Sequence, residues 1–307
     1  MHSYQNFTMA RTALAAEMSR FSYLVPPTNW QSMDVSNKPE MATHELFNIS
    51  FEVPLPHVID MTKLQADIQP NLPWADDHFR ERICGEPINP GEQWAKWPFG
   101  HSADKFRDAN GQFNHNYMER YWPRYAGMTR DGKLPVIMDE LTENVEVEVR
   151  RVAHRGIRHE YGDLRDVIEQ LLRDPLTRQA YIPIFFPEDT GNVHGGRIPC
   201  SLGYHIIRRN DQLHISYFMR SCDLRRHLND DMYLTVRLLL WILDELKSQD
   251  GLNWWHVRPG TFSMFISSLH IFRNDWYEMF PDFQTPTGGI NEYFTGTAAR
   301  PRGDAQG

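Results

Sequence analysis

The stretch SLGYHIIRRNDQLHISYFMRSCD, residues 201–223, decides how the second half of the chain folds. In its second arm the apolar residues occupy every other position from Leu213 to Met219. This alternation predicts a half-buried β-strand. The dipeptide Asn210-Asp211, which separates the two arms, is a turn signal. The stretch therefore predicts a β-hairpin.

Helices and further strands are predicted on both sides of this hairpin. In GDLRDVIEQLLRDP the apolar residues fall at i, i+3, i+4, i+7 and i+8 from Leu164, which predicts an amphipathic helix. Asp163 is its expected N-cap, and Pro175 ends the pattern. A short helix is also predicted over 74–84, a long buried helix over 231–249, and strands over 47–55, 181–186 and 261–272. Because strands and helices interleave, we expect an α/β (α+β) fold with helices flanking one mixed β-sheet.

The composition limits the classes of function. The chain has 307 residues and a net charge of −8, which argues against general nucleic-acid binding because that needs a basic surface. No apolar run approaches the ~18 residues that span a bilayer, and the N-terminus lacks a secretory signal pattern. We therefore expect no membrane association and a cytoplasmic location. We also expect one domain over 1–294 and a mobile polar tail over 295–307.

The cysteines raise the first question about chemistry. There are three, Cys84, Cys200 and Cys222, and no pair has CxxC spacing, so we expect neither a zinc site nor a disulfide framework. Cys200 follows a proline and precedes the hairpin. A lone cysteine is usually an inert buried residue, and the alternative here is a nucleophile.

Other residues with chemical potential follow a fixed order in the second half. They are Arg178 in DPLTR, Cys200 in PC, Arg220 and Ser221 in RSCD, Asp231, and His270 and Phe272 in LHIF. Each has a simple structural explanation alone, since an arginine at a helix end stabilises the helix dipole and a histidine on a strand is usually hydrogen-bonded. Together, over about residues 160–275, they resemble the thymidylate synthase family, whose motifs are D-P-x-x-R, P-C, R-S-x-D and H-x-Y.

The resemblance implies a fold, an assembly and a set of roles. It implies a homodimer on a mixed sheet, with each site completed by the partner, and 5,10-methylenetetrahydrofolate as co-substrate. Cys200 would add to C6 of a pyrimidine, Arg220 and Ser221 would hold the 5′-phosphate with Arg178 of the other subunit, Asp223 would lie beside the base and His270 near the sugar. An arginine beside a thiol lowers the pKa of that thiol, and the same guanidinium binds phosphate.

The resemblance is sparser in the first half. NYMERYW, with Tyr117, and WAKW, with Trp94 and Trp97, are similar to segments on the folate side of the family's site. The family also uses a glutamate on an early helix to relay protons. The corresponding segment offers Asp76, Asp77, His78 and Glu81, and the sequence does not choose between them. The family's N-terminal phosphate-binding arginine is not identifiable.

Asp231 stands where thymidylate synthases carry asparagine. An ionised carboxylate is only an acceptor, so it would face O4 of uracil with lone pairs opposed. Unpaired buried polar groups cost ~1–3 kcal/mol each. Cytosine presents an amino donor at the same place, so Asp231 favours a cytidylate. The alternative is that Asp231 only caps the following helix.

Three further departures favour water, rather than hydride, as the last reactant. Ser201 replaces the family's histidine, LRRHLND over 224–230 replaces a glycine- and proline-containing segment near the folate, and the C-terminus lacks the apolar ending that closes over the folate. These changes favour a 5-hydroxymethyl product. They are similar to the nucleotide 5-hydroxymethylases, in particular the CMP 5-hydroxymethylases of mildiomycin-type nucleoside antibiotic biosynthesis.

The sugar pocket is also altered. Phe272 replaces a tyrosine whose hydroxyl points at the 3′-OH, and Lys133 in TRDGK is a candidate for reaching the ribose or phosphate, although a solvated basic turn explains it equally well. We therefore expect CMP to be favoured and dCMP to remain possible. The alternatives are a thymidylate synthase with altered motifs and a catalytically silent nucleotide-binding homologue.

Overall fold

The structure is a computed structural model that describes residues 1–30, 33–99, 107, 111–113, 116–123, 162–192 and 198–281. The predicted site residue Lys133 and the predicted tail over 295–307 lie outside the described residues.

Seven strands of the described part form one mixed sheet. They are β1 (His2–Ser3), β2 (Tyr23–Val25), β5 (Thr43–Pro54), β6 (Tyr181–Pro183), β7 (Ser201–Arg209), β8 (Gln212–Asp223) and β9 (Arg258–Phe272), while β3 (Asn29–Trp30) and β4 (Met33–Asp34) form a separate pair. The order is β1-β5-β9-β8-β7-β6, with β2 also paired to β5. β8 and β9 run parallel, and β5 and β9 antiparallel. The predicted mixed sheet is confirmed.

The hairpin of β7 and β8 forms where its turn signal lies. Asn210 and Asp211 have φ angles of 48° and 56°, and two consecutive positive φ angles suit the type I′ turn that matches strand twist. The pairing shifts between Ser201 and Gly203, which marks a bulge next to the start of β7.

Eight helices are described. They are α1 (Phe7–Phe21), α2 (Met61–Ile68), α3 (Trp74–Arg82), α4 (Tyr117–Tyr121), α5 (Leu164–Arg173), α6 (Leu228–Gln249), α7 (Gly251–Trp254) and α8 (Arg273–Met279). Asp163 caps α5 in a capping box with Asp166, as the sequence predicts. None of these helices is long and apolar enough to cross a membrane.

The long helix α6 forms the centre of the core. It contacts β8, β9, α2, α3 and α5, and its apolar side chains are buried along its length. It begins at Leu228, three residues before the predicted start. Because α6 begins directly after β8, its first turn lies at the edge of the sheet where β8 ends.

Strand β6 is shorter than the sequence predicts, at Tyr181–Pro183 instead of 181–186. The amides of Ile184 and Phe185 both donate to the same carbonyl, that of Leu202, at 2.9 and 3.1 Å. A ladder cannot continue when two consecutive amides share one acceptor, so the strand ends although its sequence stays apolar.

Candidate active site

A cavity of about 750 Å³ opens between the sheet, the first turn of α6 and the helix α3. Its volume lies within the range of small-molecule sites. The predicted site residues that line it are Cys200, Asp231, Arg220, Ser221, Asp223, His270, Phe272, Tyr117, Trp94 and Trp97. Residues from both halves of the chain therefore meet in one cavity. Of the predicted site residues that the structure describes, only Arg178 does not line it.

Cys200 lies beside Arg220 across the hairpin. It directly precedes β7, and its carbonyl accepts the backbone N–H of Arg220 at 2.9 Å. The guanidinium donates from Nε to the Pro199 carbonyl at 2.8 Å and from Nη2 to the Ile198 carbonyl at 2.9 Å. Its Nη2 lies 3.9 Å from the Sγ of Cys200. The charge is thus held next to the sulfur by the backbone of the segment that carries it.

Asp223 and His270 lie side by side on β8 and β9. The Oγ of Ser221 is 3.2 Å from the Nδ1 of His270. Asp223 accepts two backbone N–H groups through Oδ1, whereas its Oδ2 is buried without a hydrogen-bond partner in the described part of the chain. Burial raises the pKa of this carboxyl. A buried acceptor of this kind can bind a ring N–H or amino group of a ligand.

Asp231 lies inside α6 rather than at its end. The N-cap of α6 is His227, whose carbonyl accepts the N–H of Asp231 at 2.8 Å, so the interpretation of Asp231 as a helix cap is wrong. The Sγ of Cys222 donates to Asp231 Oδ2 at 3.7 Å. Burial raises the pKa of Asp231 to about 7, although the guanidinium of Arg82 acts in the opposite direction. Both protonation states are thus accessible near neutral pH.

A chain of hydroxyls runs beneath Cys200 towards Asp231. Ser201 Oγ donates to Tyr117 Oη at 3.1 Å and is hydrogen-bonded to Tyr217 Oη. Tyr217 in turn acts to lower the pKa of the Asp231 carboxyl. The guanidinium carbon of Arg82 lies 4.4 Å from the centre of the Tyr117 ring. Serine in place of the family's histidine thus joins two tyrosines.

Arg82 and Tyr217 also belong to this network, and neither is predicted from the motifs in the sequence. Arg82 could have been found from spacing, because Trp74, His78 and Arg82 recur every four residues and share one face of α3. Tyr217 carried no such signal, since it belongs to an ordinary apolar alternation of β8.

Of the four residues considered for a proton relay, His78 lines the cavity. The Nε of Arg82 donates to His78 Nε2 at 2.9 Å, so the ring proton lies on Nδ1, which is 3.3 Å from Glu81 Oε2. Burial and the nearby guanidinium lower the pKa of His78 to about 4. Asp76 pairs with Arg237, and Asp77 pairs with Arg80 on the surface.

Aromatic rings form the wall opposite the sheet. Trp97 stacks on His227 with ring centres 4.4 Å apart, and Trp74 stacks on His78 at 4.8 Å. Trp94 lies beside them and contacts Phe113. Such a wall suits a flat heterocycle. It therefore fits the pterin ring of a folate, which is flat.

Arg178 does not reach the cavity of its own chain. Its side chain is exposed, and its carbonyl contacts His205 Nε2 at 3.0 Å. Its expected role in a partner's site stays a prediction. Within the described ranges, no group of three or more His, Cys, Asp or Glu side chains is arranged to hold a metal ion.

Comparison with known proteins identifies the fold. No protein-family model matches the sequence, and no curated protein matches it significantly. Among solved structures, the chain is similar to thermostable thymidylate synthase A from Bacillus subtilis, with a TM-score of 0.58 and 12% sequence identity. The similarity covers 89% of this chain and 83% of that one. The chain therefore has the fold of the thymidylate synthases.

Proposed function

We propose that this protein transfers a one-carbon unit from 5,10-methylenetetrahydrofolate to C5 of CMP and adds water, which gives 5-hydroxymethyl-CMP. dCMP is the alternative substrate. The observation that carries the proposal is that Asp231, a carboxyl where thymidylate synthases have an amide, faces the same cavity as Cys200 and Arg220. This reaction needs a thiol as nucleophile, a cation that binds the phosphate and a side chain that recognises the base.

Asp231 selects the base. Protonated, its hydroxyl donates to N3 of cytosine while its carbonyl oxygen accepts from the N4 amino group. Ionised, it accepts one hydrogen bond, from N4 of cytosine or from N3–H of uracil, and its other oxygen faces the lone pair of N3 or of O4. Because the pKa of Asp231 is about 7, both hydrogen bonds to cytosine are available below pH 7, and the one to N3 is lost as the carboxyl ionises above pH 7.

Cys200 activates the ring. Its thiolate sulfur bonds to C6, which places an electron pair at C5. When bound, methylenetetrahydrofolate supplies a carbon at the oxidation level of formaldehyde. The new bond forms at C5, the C5 proton leaves, and tetrahydrofolate departs unoxidised. Water then adds to the exocyclic methylene group, and the Cys200 sulfur leaves from C6, so the product is heavier than CMP by CH₂O.

Arg220 and Ser221 hold the phosphate, and Arg178 reaches it from a second subunit. A guanidinium can bind two phosphate oxygens at once. Because the Nη2 of Arg220 also lies 3.9 Å from the Cys200 sulfur, one charge can serve both nucleotide binding and thiolate formation. The homodimer is supported by the sheet, where the stacked rings of Phe218 and Phe265 remain partly exposed.

Water as the final reactant is supported by a charged cavity wall. Arg226 lines the cavity between β8 and α6, with its guanidinium carbon 4.7 Å from the Phe272 ring centre. It donates to Asp275 at 2.7 Å, and its neighbour Arg225 donates to Glu278 at 3.0 Å. These two ion pairs link the residues between β8 and α6 to α8. A charged wall attracts water, which supports its access to a reactive methylene group.

Incubation of the protein with CMP and methylenetetrahydrofolate, followed by mass analysis of the nucleotide, tests the proposal. A product heavier by CH₂O is expected. Formation of dihydrofolate, seen as a rise in absorbance, would instead identify a thymidylate synthase. Binding of CMP without any product would identify a silent nucleotide-binding protein.

A further inference from the structure

An acidic residue, Glu45, lies in the cavity next to His270. The two residues are directly paired across β5 and β9, and Asp223 is the next in the same row on β8. All three line the cavity. Directly paired residues point to the same face of a sheet, so Glu45 belongs to the row of polar side chains that faces the ligand.

The Glu45 carboxylate is held in place on both sides. Thr43 Oγ1 donates to Oε1 at 2.8 Å, and Ser268 Oγ donates to Oε2 at 3.0 Å. An ionised carboxylate has about four acceptor positions, so each oxygen retains the capacity for another hydrogen bond. The two donors orient the Glu45 carboxylate and leave acceptor positions available for a ligand. A binding group that is oriented before the ligand arrives loses less conformational entropy on binding.

The position of Glu45 corresponds to the sugar of a bound nucleotide. Ser221 Oγ lies 3.2 Å from His270, so a phosphate held by Arg220 and Ser221 brings its attached sugar to the row of His270 and Glu45. Phe272, the other neighbour on β9, has no hydroxyl to offer. The Glu45 carboxylate is a strong hydrogen-bond acceptor beside this ring.

We propose that Glu45 accepts hydrogen bonds from the adjacent 2′- and 3′-hydroxyls of a ribose and so makes the site selective for ribonucleotides. This inference rests on the proposed function, because it takes the phosphate to be held by Arg220 and Ser221. A 2′-deoxyribose lacks one donor, and an arabinose directs its 2′-hydroxyl to the opposite face of the ring. Both sugars leave one acceptor position of the carboxylate unused.

The test is the dissociation constant of the full-length protein for CMP, dCMP and arabinosyl-CMP, measured by calorimetry. The variant is Glu45→Gln, which keeps the shape and removes the charge. The control is Glu52→Gln, on the same strand but outside the cavity. We expect the unmodified protein and the control to bind CMP about tenfold or more tightly than dCMP, the factor that one hydrogen bond to a charged group provides. Glu45→Gln should weaken CMP binding more than dCMP binding, because dCMP donates to the carboxylate only through its 3′-hydroxyl, and the preference for CMP should fall to about twofold.

Two results would overturn the inference. Equal weakening of CMP and dCMP in Glu45→Gln would mean that the residue only supports the strands, and an unchanged preference would mean that it does not contact the sugar. Release of the C5 hydrogen, measured in parallel, separates this inference from the proposed function. A Glu45-dependent preference for CMP without release would overturn the proposed reaction alone, whereas no binding of either nucleotide would overturn both.

Discussion

The Nη2 atom of Arg220 lies 3.9 Å from the Sγ of Cys200, and the same guanidinium donates to the carbonyls of Ile198 and Pro199. The segment before β7 thus carries the thiol and also fixes the cation beside it. A positive charge this close favours the thiolate over the thiol. When a phosphate binds to Arg220, the sulfur and the nucleotide are aligned by one contact.

Replacement of Cys200 by alanine should abolish turnover, because the proposed nucleophile for C6 is then missing. CMP binding should remain within about threefold of the unmodified protein, since the phosphate and base contacts are intact. Turnover and calorimetric binding measure the two effects. Cys84→Ser is the matched control, because Cys84 is exposed and lies outside the cavity. Substantial activity in Cys200→Ala would rule out covalent catalysis by this residue.

Arg220→Ala should slow the alkylation of Cys200 by iodoacetamide at neutral pH and weaken CMP binding by about tenfold or more. Arg220→Lys keeps the charge but cannot donate to two carbonyls in the same geometry, so its effects should be intermediate. The alkylation rate is best followed in a Cys84→Ser background, where the exposed thiol does not compete. An alkylation rate in Arg220→Ala equal to that of the unmodified protein would show that the guanidinium does not activate the sulfur.

The sequence was informative where signals are local. The turn at Asn210-Asp211 and the cap at Asp163 are decided within a few residues, and both form as predicted. The mixed sheet was predicted from the alternation of strand and helix patterns. The motif order along the second half also brought Cys200 and Asp231 into one proposed site, and both line one cavity.

The sequence was uninformative where distant strands decide the neighbours. Glu45 and His270 are paired although they are far apart in the chain, and no local pattern records that register. Tyr217 follows the apolar alternation of β8, and its hydroxyl is hydrogen-bonded to Ser201 on the neighbouring strand. Contacts of this kind depend on sheet order and register, which a single sequence does not state.

Asp231→Asn should move substrate preference from cytidylates towards uridylates, because an amide can donate to O4 and accept from N3–H. In the unmodified protein the affinity for CMP should fall above pH 7, because the carboxyl loses the proton that it donates to N3, and the asparagine variant should lose this dependence. Binding constants for CMP and UMP across pH 6 to 9 measure both effects. An affinity for CMP that is equally pH-dependent in the variant would assign the effect to another group.

Asp231 should also link stability to pH. Its pKa is raised to about 7 in the folded protein, so between about pH 4 and pH 7 the folded state keeps a proton that the unfolded state has lost. This carboxyl therefore lowers the free energy of unfolding as the pH rises through that window. The free energy of unfolding of Asp231→Asn, measured in urea, should therefore increase relative to that of the unmodified protein as the pH rises from 5 to 8. A constant difference across that range would contradict the raised pKa.

The proposed dimer can be tested by complementation. Arg178→Ala and Cys200→Ala should each be inactive alone, since one lacks the phosphate contact offered to its partner and the other lacks the nucleophile. If Arg178 acts across the interface, a refolded mixture should regain up to about a quarter of normal activity, because half of the chains form mixed dimers and each has one complete site. No recovery in a mixture that forms dimers would place Arg178 outside the partner's site.

The most direct measurement is tritium release from [5-³H]CMP, [5-³H]dCMP and [5-³H]dUMP with methylenetetrahydrofolate, with product mass determined in the same samples. We predict release from the cytidylates, fastest from CMP, a product heavier by CH₂O and no dihydrofolate. Release from dUMP alone, with dihydrofolate formed, would contradict the account and identify a thymidylate synthase. Release from none of the three would contradict catalysis at C5 altogether.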